Sequence, residues 1–430
     1  PPPADPPAAL APNNQPSWLH TLGPGLITGA ADDDPSGIAT YSQAGAQFGF
    51  GMLWTVLLTF PLMAAIQIVS ARIGRVTGHG LGTNIRRHFP RTILYAVVGL
   101  LLVANTINIA ADIAAMGQAL TLLVGGPAQL YAAGFGLLSL VLQVWVPYHR
   151  YVKVLKWLTA ALLAYVAAAL ALQVPWLAVL QQALWPTLST QPAYLTTVVA
   201  IFGTTISPYL FFWQASQEVE DLHADPTAHA LKKAPQQASA NFRRIKIDTI
   251  IGMGFSNLVA FFIILTTALT LGAHGITEIS SSAQAAAALR PIAGEFAFLL
   301  FSLGIIGTGL LAVPVLAGSA AYAIAGALHW RSSLELQLSG ARKFYSIIIG
   351  STAIGALLCF TPIDPMQALY WSAVLNGVIA VPIMVLMMLL VARRGVMGTL
   401  VASRRLQWAG WLCTGVMALA VAAMFATLGG

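Results

Sequence analysis

Charge is what this chain has least of. Asp, Glu, Lys and Arg make up 8% of its 430 residues, against roughly 25% in a soluble domain. So few charges cannot cover a water-facing surface, and lipid must cover much of this one. Cysteine is scarce too. Only Cys359 and Cys413 occur, both in apolar stretches, which argues against a disulfide framework and excludes a structural zinc site built on thiolates. Strand-type alternation is missing, so a membrane barrel is excluded. No His-Glu-x-x-His, Gly-x-Ser-x-Gly or P-loop pattern occurs. A zinc metalloprotease, a serine hydrolase and an ATP-driven pump are therefore unsupported.

What is present is apolar. Hydrophobic residues make up 57% of the chain, and eleven stretches are long enough to cross a bilayer core as helices, which takes roughly 20 residues each. They fall near 20–46, 51–76, 94–124, 128–147, 153–174, 192–221, 246–271, 293–328, 344–360, 365–391 and 406–428. The expected architecture is an all-α integral membrane protein of about eleven transmembrane helices. Residues 1–17, rich in Pro and Ala and without a basic n-region, read as a disordered tail and not as a signal peptide.

The net charge of +7 is explained by topology and needs no nucleic acid. Lys and Arg gather between Arg72 and Arg91, Arg150 and Lys156, Lys232 and Lys246, Arg331 and Lys343, and Arg393 and Arg405. These are alternate loops, and only Arg290 falls in a loop of the other parity. The positive-inside rule puts the N-terminus in the cytoplasm and the C-terminus outside. The expected location is a cell (inner) membrane.

Two of the predicted helices are interrupted. Predicted helix 1 carries Asp32-Asp33-Asp34-Pro35-Ser36-Gly37 near its middle. Carboxylates there are expensive, roughly 2.5–3.5 kcal/mol each on insertion scales, and are functional by default. Pro35 also breaks the hydrogen-bond ladder. Predicted helix 6 is interrupted at Gly203-Thr204-Thr205-Ile206-Ser207-Pro208-Tyr209. The two breaks hold corresponding places in two five-helix units of opposite orientation, a pattern of inverted repeats with a substrate site between broken helices. Residues 18–174 form the first repeat and 192–391 the second. Residues 175–191 connect them outside, and 392–430 hold helix 11 and the C-terminus. At the breaks the carbonyls of Ala31 and Thr204 lose their helical partners and, with the Asp34 carboxylate, favour a cation. Ser36, Thr205 and Ser207 add hydroxyl oxygens. Such hard ligands suit Mg²⁺, Mn²⁺ or Ca²⁺. For helix 6 a simple kink with back-bonded hydroxyls explains the residues equally well. Consecutive residues also face different directions, so only one or two of the three carboxylates are expected to line the gap. Gln214 is expected along the inner path, Asn376 in helix 10 is a candidate amide ligand, and Asp112 in helix 3 is a candidate proton site or a structural partner of Asn105, Asn108 or a basic residue. Asp248 is expected as a first-turn charge of helix 7.

The segment from Gly23-Pro24-Gly25 through Asp34-Pro35-Ser36-Gly37 to Gln43-Ala44-Gly45-Ala46-Gln47-Phe48-Gly49 resembles the first helix of the Nramp family of divalent-metal transporters. That resemblance implies a LeuT-type fold with helices 1 and 6 discontinuous, and alternating access. The family's helix 1 carries Asp-Pro-Gly-Asn and its helix 6 Met-Pro-His. Here Asp34 and Pro35 match, while Gly37 stands at the Asn position, Ser207 at the Met and Tyr209 at the His. The metal ligands carried over are thus Asp34, Ala31, Gly37, Thr204, Ser207 and Asn376. Asp32, Asp33, Ser36, Thr205, Tyr209 and Gln214 line the path. Loss of the thioether makes the site harder, similar to the Nramp-related magnesium transporters. Loss of the His, and Ala115 in place of a second helix 3 acid, imply transport of Mg²⁺ or Mn²⁺ without obligatory proton symport. A proton-coupled Mn²⁺/Fe²⁺ symporter and an amino-acid-type symporter on the same fold are the alternatives. No cofactor, enzyme activity or ATP is expected, and the partners are the bilayer and the transported ion.

Overall fold

The computed structural model describes residues 24–146, 159–334, 336 and 338–428. The expected N-terminal tail, the first residues of predicted helix 1 and the start of predicted helix 5 lie outside the described residues. Among those described, every regular element is helical. Eight helices are long and apolar enough to cross a membrane, or up to nine if one bent pair is a single span.

Described helices fall in all eleven predicted ranges, but the one at 344–360, Arg342–Leu358, has 17 residues and is not among those eight or nine. Predicted helix 1 is α1 (Pro24–Asp32) followed by α2 (Pro35–Phe48). Next come α3 (Leu53–Thr77), a short α4 (Leu81–His88), α5 (Arg91–Val124), α6 (Ala128–Trp145) and α7 (Leu163–Ala171). Within the 175–191 connection stands α8 (Trp176–Leu184), and a bend of 117° separates it from the helix before. Predicted helix 6 is α9 (Pro192–Thr205) followed by α10 (Pro208–Ala224). The chain continues through α11 (Ala238–Thr270), α12 (Ser282–Ala287), α13 (Ala297–Leu328), α14 (Arg342–Leu358), α15 (Pro365–Ala392) and α16 (Arg404–Leu428). α6, α7 and α16 turn Leu130, Leu137, Leu170, Trp408 and Leu419 outward, as a lipid-facing surface requires.

Local chemistry makes both breaks. Asp34 is the N-cap of α2, with extended backbone angles and Pro35 at the first helical position. A capping Asp ahead of an N-terminal Pro is a strong helix start. A proline also denies a hydrogen bond to the carbonyl four residues back. Pro35 thereby frees the Ala31 carbonyl, and Pro208 frees that of Thr204.

Glycines bring the broken helices against their neighbours. A Cβ at Gly29 would lie 2.3 Å from the carbonyl carbon and oxygen of Gly252, and one at Gly45 2.3 Å from the Ile264 carbonyl oxygen. α1 and α2 therefore lie backbone to backbone along α11. In the same way a Cβ at Gly203 would lie 2.0 Å from the Ala373 carbonyl oxygen, seating α9 on α15. Small residues at helix contacts are how membrane helices approach without a hydrophobic driving force.

At the end of the basic loops, Arg244 of α11 pairs with Glu218 of α10, whose side chain is fully buried, and Asp221 lies 3.8 Å from the same guanidinium. Arg75 donates to the Glu218 carbonyl at 3.4 Å. Removing one partner of a buried pair typically costs about 3–5 kcal/mol. Because Arg244 is 22% exposed, Arg244→Met is expected at the lower end of that range. It should lower Tm in detergent, and Glu218→Leu in the same background should recover most of the loss. An Arg244→Met Tm equal to wild type would remove the pair from the account.

The expectation for Asp248 needs correction. α11 begins at Ala238, eight residues earlier than the predicted start at 246, because the run Asn241–Lys246 is itself helical. Asp248 is therefore well inside the helix and buried, and its carboxylate accepts the Gly25 N–H at 2.6 Å.

Candidate functional site

The two breaks meet in the interior around Asp34. Its Oδ1 accepts from the Ser36 hydroxyl at 2.7 Å and the Gly37 N–H at 2.8 Å. Its Oδ2 faces helix 6, where the Tyr209 hydroxyl lies 3.1 Å from it and 3.1 Å from the Ala31 carbonyl oxygen. The Asn108 amide of α5 approaches Oδ2 at 3.4 Å. A Cβ on Gly37 would lie 3.2 Å from the Thr204 hydroxyl oxygen, so α2 and α9 touch at the gap through a residue without a side chain. Asp34, Ala31, Gly37, Ser36, Thr204 and Tyr209 are thus brought together at the gap.

The other predicted residues are placed differently. Asp32 and Asp33 turn to α11, where the single Ser256 hydroxyl lies 2.6 Å from Asp32 and 2.9 Å from Asp33. Both carboxylates are buried, and only Asp34 points at the helix 6 break. Ser207 donates back to the carbonyls of Gly203 and Thr204, each at 2.8 Å, and Thr205 to that of Ile201 at 2.8 Å. These hydroxyls satisfy carbonyls at the end of α9 and keep only lone pairs for a ligand. Gln214 accepts from Thr28 at 2.5 Å, closing α1 onto α10 below the break. Asn376 is buried, and neither atom of its amide has a hydrogen-bond partner among the described residues. The same holds for both oxygens of buried Asp112. Neither expected partner reaches that carboxylate, because Asn105 donates to Leu316 and Ser319 and Asn108 to Asp34. Sequence reading passed over Ser256 entirely. Its signal was a Ser-Asn pair inside an otherwise apolar span.

Among the described residues no three His, Cys, Asp or Glu side chains converge as a preformed metal cage. A cavity of about 540 Å³ opens where α9 and α15 begin, at the end away from the basic loops. Ala39, Gln43, Thr196, Glu278, Gln367 and Tyr370 are among its lining residues.

Two membrane helices broken by proline and meeting at a buried carboxylate are the arrangement of a transporter of the LeuT-type fold. The chain matches, over residues 25–427, the model of the family described as natural resistance-associated macrophage protein-like, Nramp. It belongs to the Nramp family of divalent-metal transporters.

Solved structures agree on the fold. The manganese transporter of Eremococcus coleocola, in complex with an aromatic bis-isothiourea substituted compound, superposes with a TM-score of 0.72 at 19% identity, covering 98% of this chain and 91% of the other. Mhp1, a nucleobase-cation-symport-1 family transporter in a closed conformation, gives 0.56 at 14% identity, covering 95% and 92%.

Proposed function

We propose that this protein carries a divalent cation, Mg²⁺ or Mn²⁺, across the membrane by alternating access, with Asp34 at the centre of the site. The observation that carries this reading is the bridge from the Ala31 carbonyl through the Tyr209 hydroxyl to the Asp34 carboxylate, at 3.1 Å on each side. A cation entering the gap takes the place of these hydrogen bonds between the two oxygen ligands, and the Tyr209 hydroxyl turns aside with its proton kept. Thr204 and the unpartnered Asn376 amide complete the ligand set, and Ser207 contributes lone pairs. Gly37 contributes space and no side-chain donor. With neither thioether nor imidazole at the break, the donors are hard and the ion keeps part of its water shell. Asp32, Asp33, Ser36, Thr205 and Gln214 border the path. Residues 18–174 and 192–391 act as the two repeats, with the N-terminus cytoplasmic and the C-terminus outside.

Transport runs down the electrochemical gradient of the ion, because Tyr209 stands where a titrating His would be. Coupling to protons is the second reading, favoured by the unpartnered Asp112 carboxylate, a place for a proton or a cation. Uptake of Mg²⁺, Mn²⁺ and Ca²⁺ into proteoliposomes with an internal pH dye separates the two. Saturable Mg²⁺ or Mn²⁺ uptake without acidification is expected. Acidification evoked by metal and abolished in Asp112→Asn would replace the uncoupled reading with the coupled one. Wild-type protein that moves no metal at all would end both.

A further inference from the structure

The cavity at the start of α9 and α15 has one charged group among its described lining residues, Glu278. The residue is exposed and lies in the connection between α11 and α12. Its backbone is clipped on both flanks by a single side chain. Gln43 of α2 accepts the Ile279 N–H at 2.9 Å and donates to the Thr277 carbonyl at 3.0 Å, pairing with the connection as a neighbouring strand would. The same amide reaches Gln47 at 3.2 Å. A carboxylate on a free loop would sample many positions, whereas this one is anchored over the mouth of the cavity.

The cavity leads toward the site. Its lining includes Ala39, five residues beyond Asp34 on the same helix and so about 7.5 Å along the axis. It also includes Tyr370, six residues before Asn376 and about 9 Å away on α15. Two of the helices that line the mouth, α2 and α15, therefore carry a proposed ligand one to two turns deeper.

We propose that Glu278 is a recruitment site for hydrated divalent cations at the outer mouth, separate from the Asp34 site, with Gln43 as its positioning residue. The inference rests on the reading of the chain as a divalent-cation transporter. Mg²⁺ and Mn²⁺ hold their waters tightly, so the first contact is outer-sphere. Metal-bound waters donate to the Glu278 carboxylate and to the side-chain oxygen of Gln367. One fixed negative charge in a cavity with no Lys or Arg among its described lining residues raises the local concentration of a divalent ion by about three- to tenfold at low ionic strength. The gain fades as the Debye length falls to about 8 Å at physiological salt.

The test is the initial rate of Mn²⁺ uptake by cells expressing the full chain, measured against Mn²⁺ concentration at low and at physiological ionic strength. Glu278→Gln is expected to raise KM by about three- to tenfold at low ionic strength with the maximal rate kept. Glu278→Lys should raise KM further, and both effects should shrink at physiological salt. Gln43→Ala should reproduce part of the KM change with the maximal rate kept, because it frees the connection without removing the charge. KM values for both Glu278 variants within twofold of wild type would overturn the proposal and leave the transport reading standing. So would a fall in maximal rate at unchanged KM, which marks a conformational role. Absence of saturable Mn²⁺ uptake by the wild type is a different failure, that of the transport reading itself.

Discussion

Asp34→Ala is expected to abolish metal uptake, lowering the rate at subsaturating ion by about 100-fold or more, since even outer-shell partners of a bound metal are worth 10–100-fold. Asp34 is the only one of the three clustered carboxylates whose oxygens face the helix 6 break, and it is linked to the Ala31 carbonyl through Tyr209. It also caps α2, and loss of a cap costs about 1 kcal/mol. Asp34→Asn separates the two roles. It keeps an oxygen for the Gly37 N–H and the Ser36 hydroxyl while removing the charge. Both variants should be as monodisperse as wild type in detergent and equally inactive in proteoliposomes. Asp34→Asn uptake within threefold of wild type would move the centre of the site elsewhere. Asp32→Asn should cost less than Asp34→Asn, because its carboxylate is turned to Ser256 and away from the gap.

Gly29→Val is the second change with a large expected effect. A Cβ at Gly29 would stand 2.3 Å from the Gly252 backbone, and a backbone carbonyl cannot swing aside as a side chain can. α1 must leave its seat on α11, breaking the Gly25–Asp248 and Thr28–Gln214 hydrogen bonds that hold it. Overpacking of this kind costs typically 1–3 kcal/mol. Here the strain falls on one conformation, the one in which α1 is docked. The expected result is a protein that folds but does not cycle, with the gap open toward the basic loops. The measurement is the rate at which Thr28→Cys is modified by a membrane-impermeant thiol reagent from the cytoplasmic side, with and without Gly29→Val. A large increase, with loss of uptake, is expected. An unchanged rate together with normal uptake would show that α1 does not need this contact to close.

Much of this fold was legible because membrane helices obey local rules. Runs of about twenty apolar residues read as spans, and helices stand on them. Asp34-Pro35 and Ser207-Pro208 announced the breaks, since a proline frees a particular carbonyl wherever it stands in a helix. The freed carbonyls of Ala31 and Thr204 follow from that rule alone. Hydropathy failed at the start of α11, because a helix that projects beyond the bilayer can carry Asn241, Arg243, Arg244 and Lys246 without apolar cover.

An all-helical membrane protein with two broken spans and a carboxylate at the first break follows from the residues alone. Which way each carboxylate turns was decided only by the tertiary structure. Asp32, Asp33 and Asp34 are adjacent in the chain, but the helix ends at Asp32 and restarts after Asp34, so no helical periodicity relates their directions. Contacts from elsewhere set them instead. Ser256 of α11 takes the first two, and Tyr209 and Asn108, from two other helices, approach the third. The seating of α1 on Gly252 and the anchoring of Glu278 by Gln43 belong to the same class. Each joins residues more than 200 positions apart, and such contacts arise from packing geometry that no local pattern encodes.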